Sequence, residues 1–172
     1  IENDWLECIV SLPDQLFFNT GITTYVWIVT NKKSSQRKGK VQLIDGSSHF
    51  KSMKKSLGSK RKEIQDEQRE ELIQSYLKFE ESDISKIYSN QFFGYTKVVI
   101  EQPLLDDDGE VITDKKGNPK PNTKKRDYER VPLEQDIDDY YEREVKPHLP
   151  NSWIDRNKDK VGYEINFTKY FY

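Results

Sequence analysis

One cysteine, one methionine and two histidines are present among the 172 residues. Cys8 alone closes no intramolecular disulfide and builds no cysteine-based zinc site. It lies in the run Glu7-Cys8-Ile9-Val10, where a small apolar core residue is the expectation. His49 and His148 are far apart in sequence, and neither stands in an H-E-x-x-H spacing. The chain has no G-x-G-x-x-G, no phosphate-binding P-loop and no G-x-S-x-G nucleophile turn. Paired acids such as Asp138-Asp139 and Glu142 sit among bases and read as a solvated helix face. No apolar run approaches the roughly 20 residues that span a bilayer, and no signal peptide is recognisable. A soluble cytoplasmic protein without a membrane partner is the expectation. The first residue is Ile1 and the single methionine is Met53. The opening Ile-Glu-Asn-Asp-Trp-Leu reads as a helix tail running into a strand, which predicts a piece of a longer polypeptide.

What is present is a polar but aromatic-rich chain. Charged residues make up 34%, hydrophobic residues 34% and aromatics 12%. Disordered chains are poor in aromatics, so a modest core under a large solvated surface is expected. The net charge of −2 hides segregation. Residues 1–31 carry four acids and no Lys or Arg. Residues 32–62 carry eleven bases against Asp45 alone, and residues 63–172 carry seventeen bases against twenty-five acids. A stretch at +10 can attract a polyanion, or it can be plain solvated surface.

Residues 7–12 read as a buried strand ended by Pro13-Asp14. Residues 22–30, β-branched and aromatic without a breaker, make a second strand. Both runs are apolar on both faces, which suits inner strands covered by helices. The linker 13–21 is too short for a helical crossover, so the two should pair antiparallel. A third strand is expected over 40–45 and a fourth over 93–101. Helices are expected over 62–80 and 133–146, the latter stopped by Pro147 and Pro150. Residues 106–125, with Asp108-Gly109 and Gly117-Asn118-Pro119, read as an exposed hairpin. Residues 161–172 are strand-like and aromatic.

The wording of the chain adds more than its composition. Trp5 through Lys33 runs as a strand ending in Leu12-Pro13, a Phe18-Asn19-Thr20-Gly21-Ile22 loop, an aromatic strand and a Thr30-Asn31-Lys32 turn. Gly39-Lys-Val-Gln-Leu-Ile-Asp45 follows, then Ser85-Lys86-Ile87, Phe93-Gly-Tyr-Thr-Lys97 and Glu101-Gln-Pro-Leu104. A last block holds Val131-Pro-Leu133, Tyr140 to His148, Trp153-Ile154-Asp155 and Gly162 to Phe171. These ordered blocks resemble, over nearly the whole chain, the carboxy-terminal portion of the DNA-methylating M subunit of type I restriction-modification systems.

That resemblance implies an adenine-N6 DNA methyltransferase that uses S-adenosylmethionine. The family's glycine-rich cofactor motif and its Asn-Pro-Pro-Phe motif do not occur here; Asn118-Pro119 is followed by Lys120. The cofactor would therefore be bound by the parent protein outside this chain, and the chain alone would be inactive. The implied fold is α/β: residues 1–48 as the last antiparallel strands of a Rossmann-like methyltransferase sheet, and residues 49–172 as an α+β extension carrying the 106–125 hairpin. An enzyme that methylates a base must take it out of the stack and hold its face. The resemblance places Phe17 at that task, with Phe18 beside it and Asn19 and Thr20 shaping the turn. Lys32, Lys33, Arg37 and Lys38 would contact DNA phosphates, with Asn19 near the DNA as well. Implied partners are double-stranded DNA, the specificity (S) subunit, a second M subunit and a restriction (R) subunit. Two other roles fit the residues: a non-catalytic module docking M onto S, and a stand-alone basic nucleic-acid-binding domain.

Overall fold

Apolar and β-branched residues build a four-stranded sheet near the amino terminus. It comprises β1 (Leu6–Leu12), β2 (Thr24–Val29), β3 (Lys40–Asp45) and, after an intervening hairpin and helix, Ser85–Ser89. The computed structural model describes residues 1–172 throughout. The intervening elements are β4 (Lys51–Leu57), β5 (Lys60–Glu63) and α1 (Asp66–Lys78); Ser85–Ser89 is β6. Spatial order in the sheet is β2-β1-β3-β6. β1 pairs antiparallel with β2 and parallel with β3, and β3 pairs antiparallel with β6. β4 and β5 form a separate two-stranded ribbon.

One face of the sheet is covered by α1. Cys8, Val10 and Ile44 pack with Leu72, and Leu12, Ile28 and Tyr76 extend the cluster. α1 is capped by the Gln68 side chain, which accepts from the Gln65 backbone N–H at 3.1 Å. It ends at Phe79, whose left-handed φ of 51° turns its ring inward to a buried position. The carboxy-terminal residues return to this same sheet. There the Phe167 ring lies 5.2 Å from Tyr25, and the Tyr172 hydroxyl donates to Asp45 at 2.9 Å.

Residues 1–90 together with 165–172 form one compact unit, and residues 91–164 form a second. The first unit runs past residue 48 because β6 completes the sheet begun by β1 to β3. In the second unit, β7 (Gly94–Glu101) is the central strand, flanked by β8 (Asp127–Pro132) and β10 (Lys160–Tyr163), with β9 (Trp153–Ile154) pairing its far end. Val98, Ile100 and Val131 pack with Tyr141 and Val145 from a helical segment. That segment starts as α2 (Ile137–Tyr140) and continues as a π turn over Tyr141–Val145. Asp136 caps it, accepting from the N–H groups of Asp138 and Asp139. Between β7 and β8 the chain folds into two tight turns around Gly109 and Gly117, each nucleated by an aspartate, Asp106 and Asp114, that accepts two backbone N–H groups.

Three expectations are corrected. Within these 172 residues β2 is an edge strand rather than an inner one: only β1 pairs with it, and Trp27 and Val29 are 61% and 58% exposed. The helix expected from 62 begins at Asp66, because Lys62 and Glu63 pair with Ser52 and Lys51 in the β4–β5 ribbon. The carboxy-terminal strand stops at Tyr163, after which the chain leaves β7 and makes a 3-10 turn over Phe167–Tyr170.

Candidate nucleic-acid interface

The β1–β2 loop presents its two phenylalanines to solvent. Pro13 and Leu16 are buried and anchor the loop, while Phe17 is 47% and Phe18 58% exposed. Neither ring is buried among the residues of this chain. Asn19 adopts φ 58°, a left-handed conformation that asparagine tolerates better than most residues, and the Thr20 N–H donates to the Phe17 carbonyl at 3.3 Å. This tight turn pushes both aromatic side chains outward. Asn19 and Thr20 act here as turn formers.

Behind the loop, its backbone is tied to the β4–β5 ribbon. The Gln15 carbonyl accepts from the N–H groups of Arg61 and Lys62 at 2.9 and 3.2 Å. The Lys62 ammonium pairs with Asp14 and lies 3.8 Å over the Phe50 ring. At the ribbon's turn, Gly58 has φ +59°, and a Cβ there would fall 2.8 Å from Phe18 Cε2 and 3.1 Å from Asn19 Oδ1. A side chain there would be strained by the positive φ and would have to displace the Phe18 ring. In front of the loop, Phe17 borders an open apolar groove of about 580 Å³ walled by Val10, Leu12, Val26, Ile28 and the α1 side chains Leu72 and Tyr76.

The basic stretch after β2 divides into two kinds of residue. Lys32 and Lys38 are exposed and open to an anionic ligand. Lys33 and Arg37 are 8% and 7% exposed and belong to the interior. Lys33 donates to Asp4 and to the Lys40 carbonyl, both at 2.6 Å. Asp4 also accepts from the Gly39 N–H and the Asn90 amide at 2.8 Å each. Burial pushes the Asp4 carboxyl up, but these hydrogen bonds outweigh it and hold the group below its ordinary 3.8.

Arg37 is enclosed between the rings of Tyr76 and Phe79, 4.2 and 4.3 Å from their centroids. Its guanidinium donates to Gln42 Oε1 at 3.1 Å and to the Tyr76 carbonyl, and lies 3.4 Å from Glu7. Gln42 in turn donates to the Ser75 carbonyl and Ser85 Oγ. A register slip in β1 between Leu6 and Cys8 accompanies the placement of Glu7 in this cluster. The expectation that Lys33 and Arg37 contact phosphates is corrected accordingly: their donors are already spent on buried partners. Nothing in the local sequence separates Lys33 from Lys32, or Arg37 from Lys38. Gln42 and Glu7, polar residues set inside the apolar strands β3 and β1, are the sequence signals of this polar network.

Other reactive groups have structural roles. Burial pushes the Cys8 thiol up to about 12, which leaves it a protonated core residue. No group of three or more His, Cys, Asp or Glu side chains is arranged to hold a metal. No helix is long and apolar enough to cross a membrane. In the second unit, Glu101 is 1% exposed and is held by Arg126 at 2.7 Å and Lys158 at 2.9 Å, a clamp on β7 rather than an open acid.

Comparison with known proteins places this geometry in context. The model of the N-6 DNA methylase family matches residues 1–123. The methylase subunit of the type I restriction enzyme MjaVIII from Methanocaldococcus jannaschii is 29% identical over 83 residues, covering 48% of this chain and 14% of that protein. The solved type I restriction-modification methyltransferase subunit from Streptococcus thermophilus is 26% identical, with a TM-score of 0.43 over 51% of this chain and 17% of that one. The chain thus spans well under a fifth of the length of either relative.

Proposed function

The chain belongs to the N-6 DNA methylase family, and from that membership we propose that it serves adenine-N6 methylation of DNA within a type I restriction-modification M subunit, where Phe17 stacks on the extruded target adenine. The exposed Phe17 ring, held out by the Asn19 turn at the mouth of an apolar groove, is the observation that carries this reading. A flat apolar ring offers a face to any base, and base–aromatic stacking contributes roughly 1–3 kcal/mol. Asn19 fixes the turn close to the DNA, and Lys32 and Lys38 give salt-dependent, sequence-independent attraction to phosphates.

The sheet supports the finer fold assignment. β1 and β2 form an antiparallel pair, the outer edge of β2 has no strand partner, and Tyr25, Trp27 and Val29 share one exposed face of it. Such an edge suits an inner position in a larger Rossmann-like sheet, whose further strands and S-adenosylmethionine site are supplied by other residues of the parent polypeptide. The cofactor supplies the methyl group; the residues here hold the base and the strand around it. On its own the chain is expected to have no methyltransferase activity, since positioning of methyl donor and amine needs groups it does not carry. Sequence choice would lie with the S subunit, in a complex with a second M and an R subunit.

The exposed apolar row on β2 also favours a second reading, in which this region docks M onto S. Phe17→Ala in the complete M subunit separates the two. Base stacking predicts methylation slowed about 5- to 150-fold, the equivalent of that 1–3 kcal/mol, with assembly intact and with Phe17→Trp restoring most of the rate. Loss of assembly at undiminished chemistry would favour docking and overturn the stacking role.

A further inference from the structure

Six of the twelve residues from Lys51 to Lys62 are Lys or Arg, and none is acidic. They form the β4–β5 ribbon, which stands apart from the main sheet. Lys62 is engaged inward by Asp14. Lys51, Lys54, Lys55 and Arg61 are exposed and take part in no ion pair. Glu63, the one neighbouring acid, accepts from the Gln65 side chain. The pairing slips between Ser52 and Leu57, and such a bulge increases the twist of the ribbon. The ribbon is also fastened to the β1–β2 loop at two places, through the Gln15 carbonyl and through the contact of Gly58 with Phe18 and Asn19. Loop and ribbon therefore form one body within the first unit.

We propose that the β4–β5 ribbon is a phosphate-binding arm that grips the backbone of duplex DNA beside the nucleotide stacked on Phe17. Its location rests on the base-stacking role of that loop. A base turned out of the helix leaves its own phosphates and those of its neighbours on the strand, and a protein holding the base must hold them too. β4 has seven residues, so it extends about 20 Å at some 3.3 Å per residue. Phosphates along one DNA strand follow at about 3.4 Å of axial rise. The arm is thus long enough to follow several phosphates, and Lys54, Lys55 and Arg61 take part in no ion pair that would compete with them. Flexible ammonium groups suit this task, because they give affinity without reading sequence.

The test is a fluorescence-anisotropy titration of the 172-residue chain with a labelled 30-base-pair duplex between 50 and 200 mM salt. The triple variant Lys54→Gln, Lys55→Gln, Arg61→Gln is compared with Lys115→Gln, Lys116→Gln, Lys120→Gln, which removes the same charge from the 106–125 segment. If each arm base neutralises one phosphate, the slope of log affinity against log salt falls in magnitude by about 2.7 for the first variant. The second variant leaves slope and affinity near wild type. The three arm side chains are exposed, and an unchanged circular dichroism spectrum confirms that the variant is folded. Equal losses in the two variants would overturn the proposal, as would an arm variant that binds like wild type, a wild-type chain that does not bind the duplex, or tighter binding to single-stranded RNA of the same length. Phe17→Ala carries no charge change and should leave the salt slope intact. Failure of the arm is therefore read in this titration, and failure of base stacking in the methylation assay.

Discussion

Replacing Arg37 by alanine tests whether the basic stretch after β2 is interior or interface. The guanidinium touches five groups at once: the Glu7 carboxylate, the Gln42 amide oxygen, the Tyr76 carbonyl and the two flanking rings of Tyr76 and Phe79. Alanine removes all of these and leaves Glu7, itself 8% exposed, without its cation. Breaking a buried ion pair from one side costs about 3–5 kcal/mol, most of it the uncompensated charge left behind. With a urea dependence of roughly 2 kcal/mol per molar, the unfolding midpoint should fall by about 2 M. Tryptophan fluorescence in a Trp153→Phe background reports the first unit, since Trp5 and Trp27 both lie there. Arg37→Lys should recover little, because an ammonium cannot fill the planar slot between two rings and donate in the same fork. Arg37→Met with Glu7→Gln should recover more than half, since no charge is then stranded. A loss under about 1 kcal/mol, accompanied by a clear drop in duplex affinity, would refute the structural role and restore Arg37 to the DNA-facing set.

Two further outcomes follow from the titrating groups. Burial pushes the Glu101 carboxyl up, but its pairing with Arg126 and Lys158 outweighs that and holds it below the ordinary 4.5. A lowered carboxyl stabilises the fold above its unfolded value, and that stabilisation is lost as pH falls through the folded value. Thermal stability should therefore decline below about pH 4.5, and Glu101→Gln should start from a lower melting temperature and flatten that acid limb. An acid limb unchanged in Glu101→Gln would show the clamp to be without effect. Burial holds the Cys8 thiol near 12, so at pH 8 it should resist a disulfide reagent in the native chain and react at once in urea. Fast stoichiometric labelling of the native chain would contradict the packing of β1 against α1.

Much of the local structure was legible in the residues. The runs 7–12, 22–30, 40–45 and 93–101 match β1, β2, β3 and β7 to within two residues at each end because β-branched and aromatic side chains favour extended backbone wherever they pack. Pro13 and Gly109 ended or turned the chain where expected, since those residues limit or free φ irrespective of context. The family was legible too, because ordered blocks of words survive where single motifs do not. Charge was read less well. A count along the chain treats Lys32 and Lys33 alike, and so cannot see that one reaches water while the other reaches Asp4 and a carbonyl.

What the residues by themselves determined, then, was the strands β1, β2, β3 and β7, the turn at Asn19 and the kinship with DNA methylases, whereas the ribbon strands β4 and β5 and the strand β6 came only with the tertiary structure. Tertiary structure alone decided that β2 lies at an edge, that Lys33 and Arg37 are interior, and that a lysine-rich ribbon stands against the Phe17 loop. The physical reason is that propensity and turn chemistry act within a few residues. Edges, buried ion pairs and juxtaposed surfaces arise from contacts such as Arg37 with Glu7, or Gly58 with Phe18, that join parts of the chain tens of residues apart.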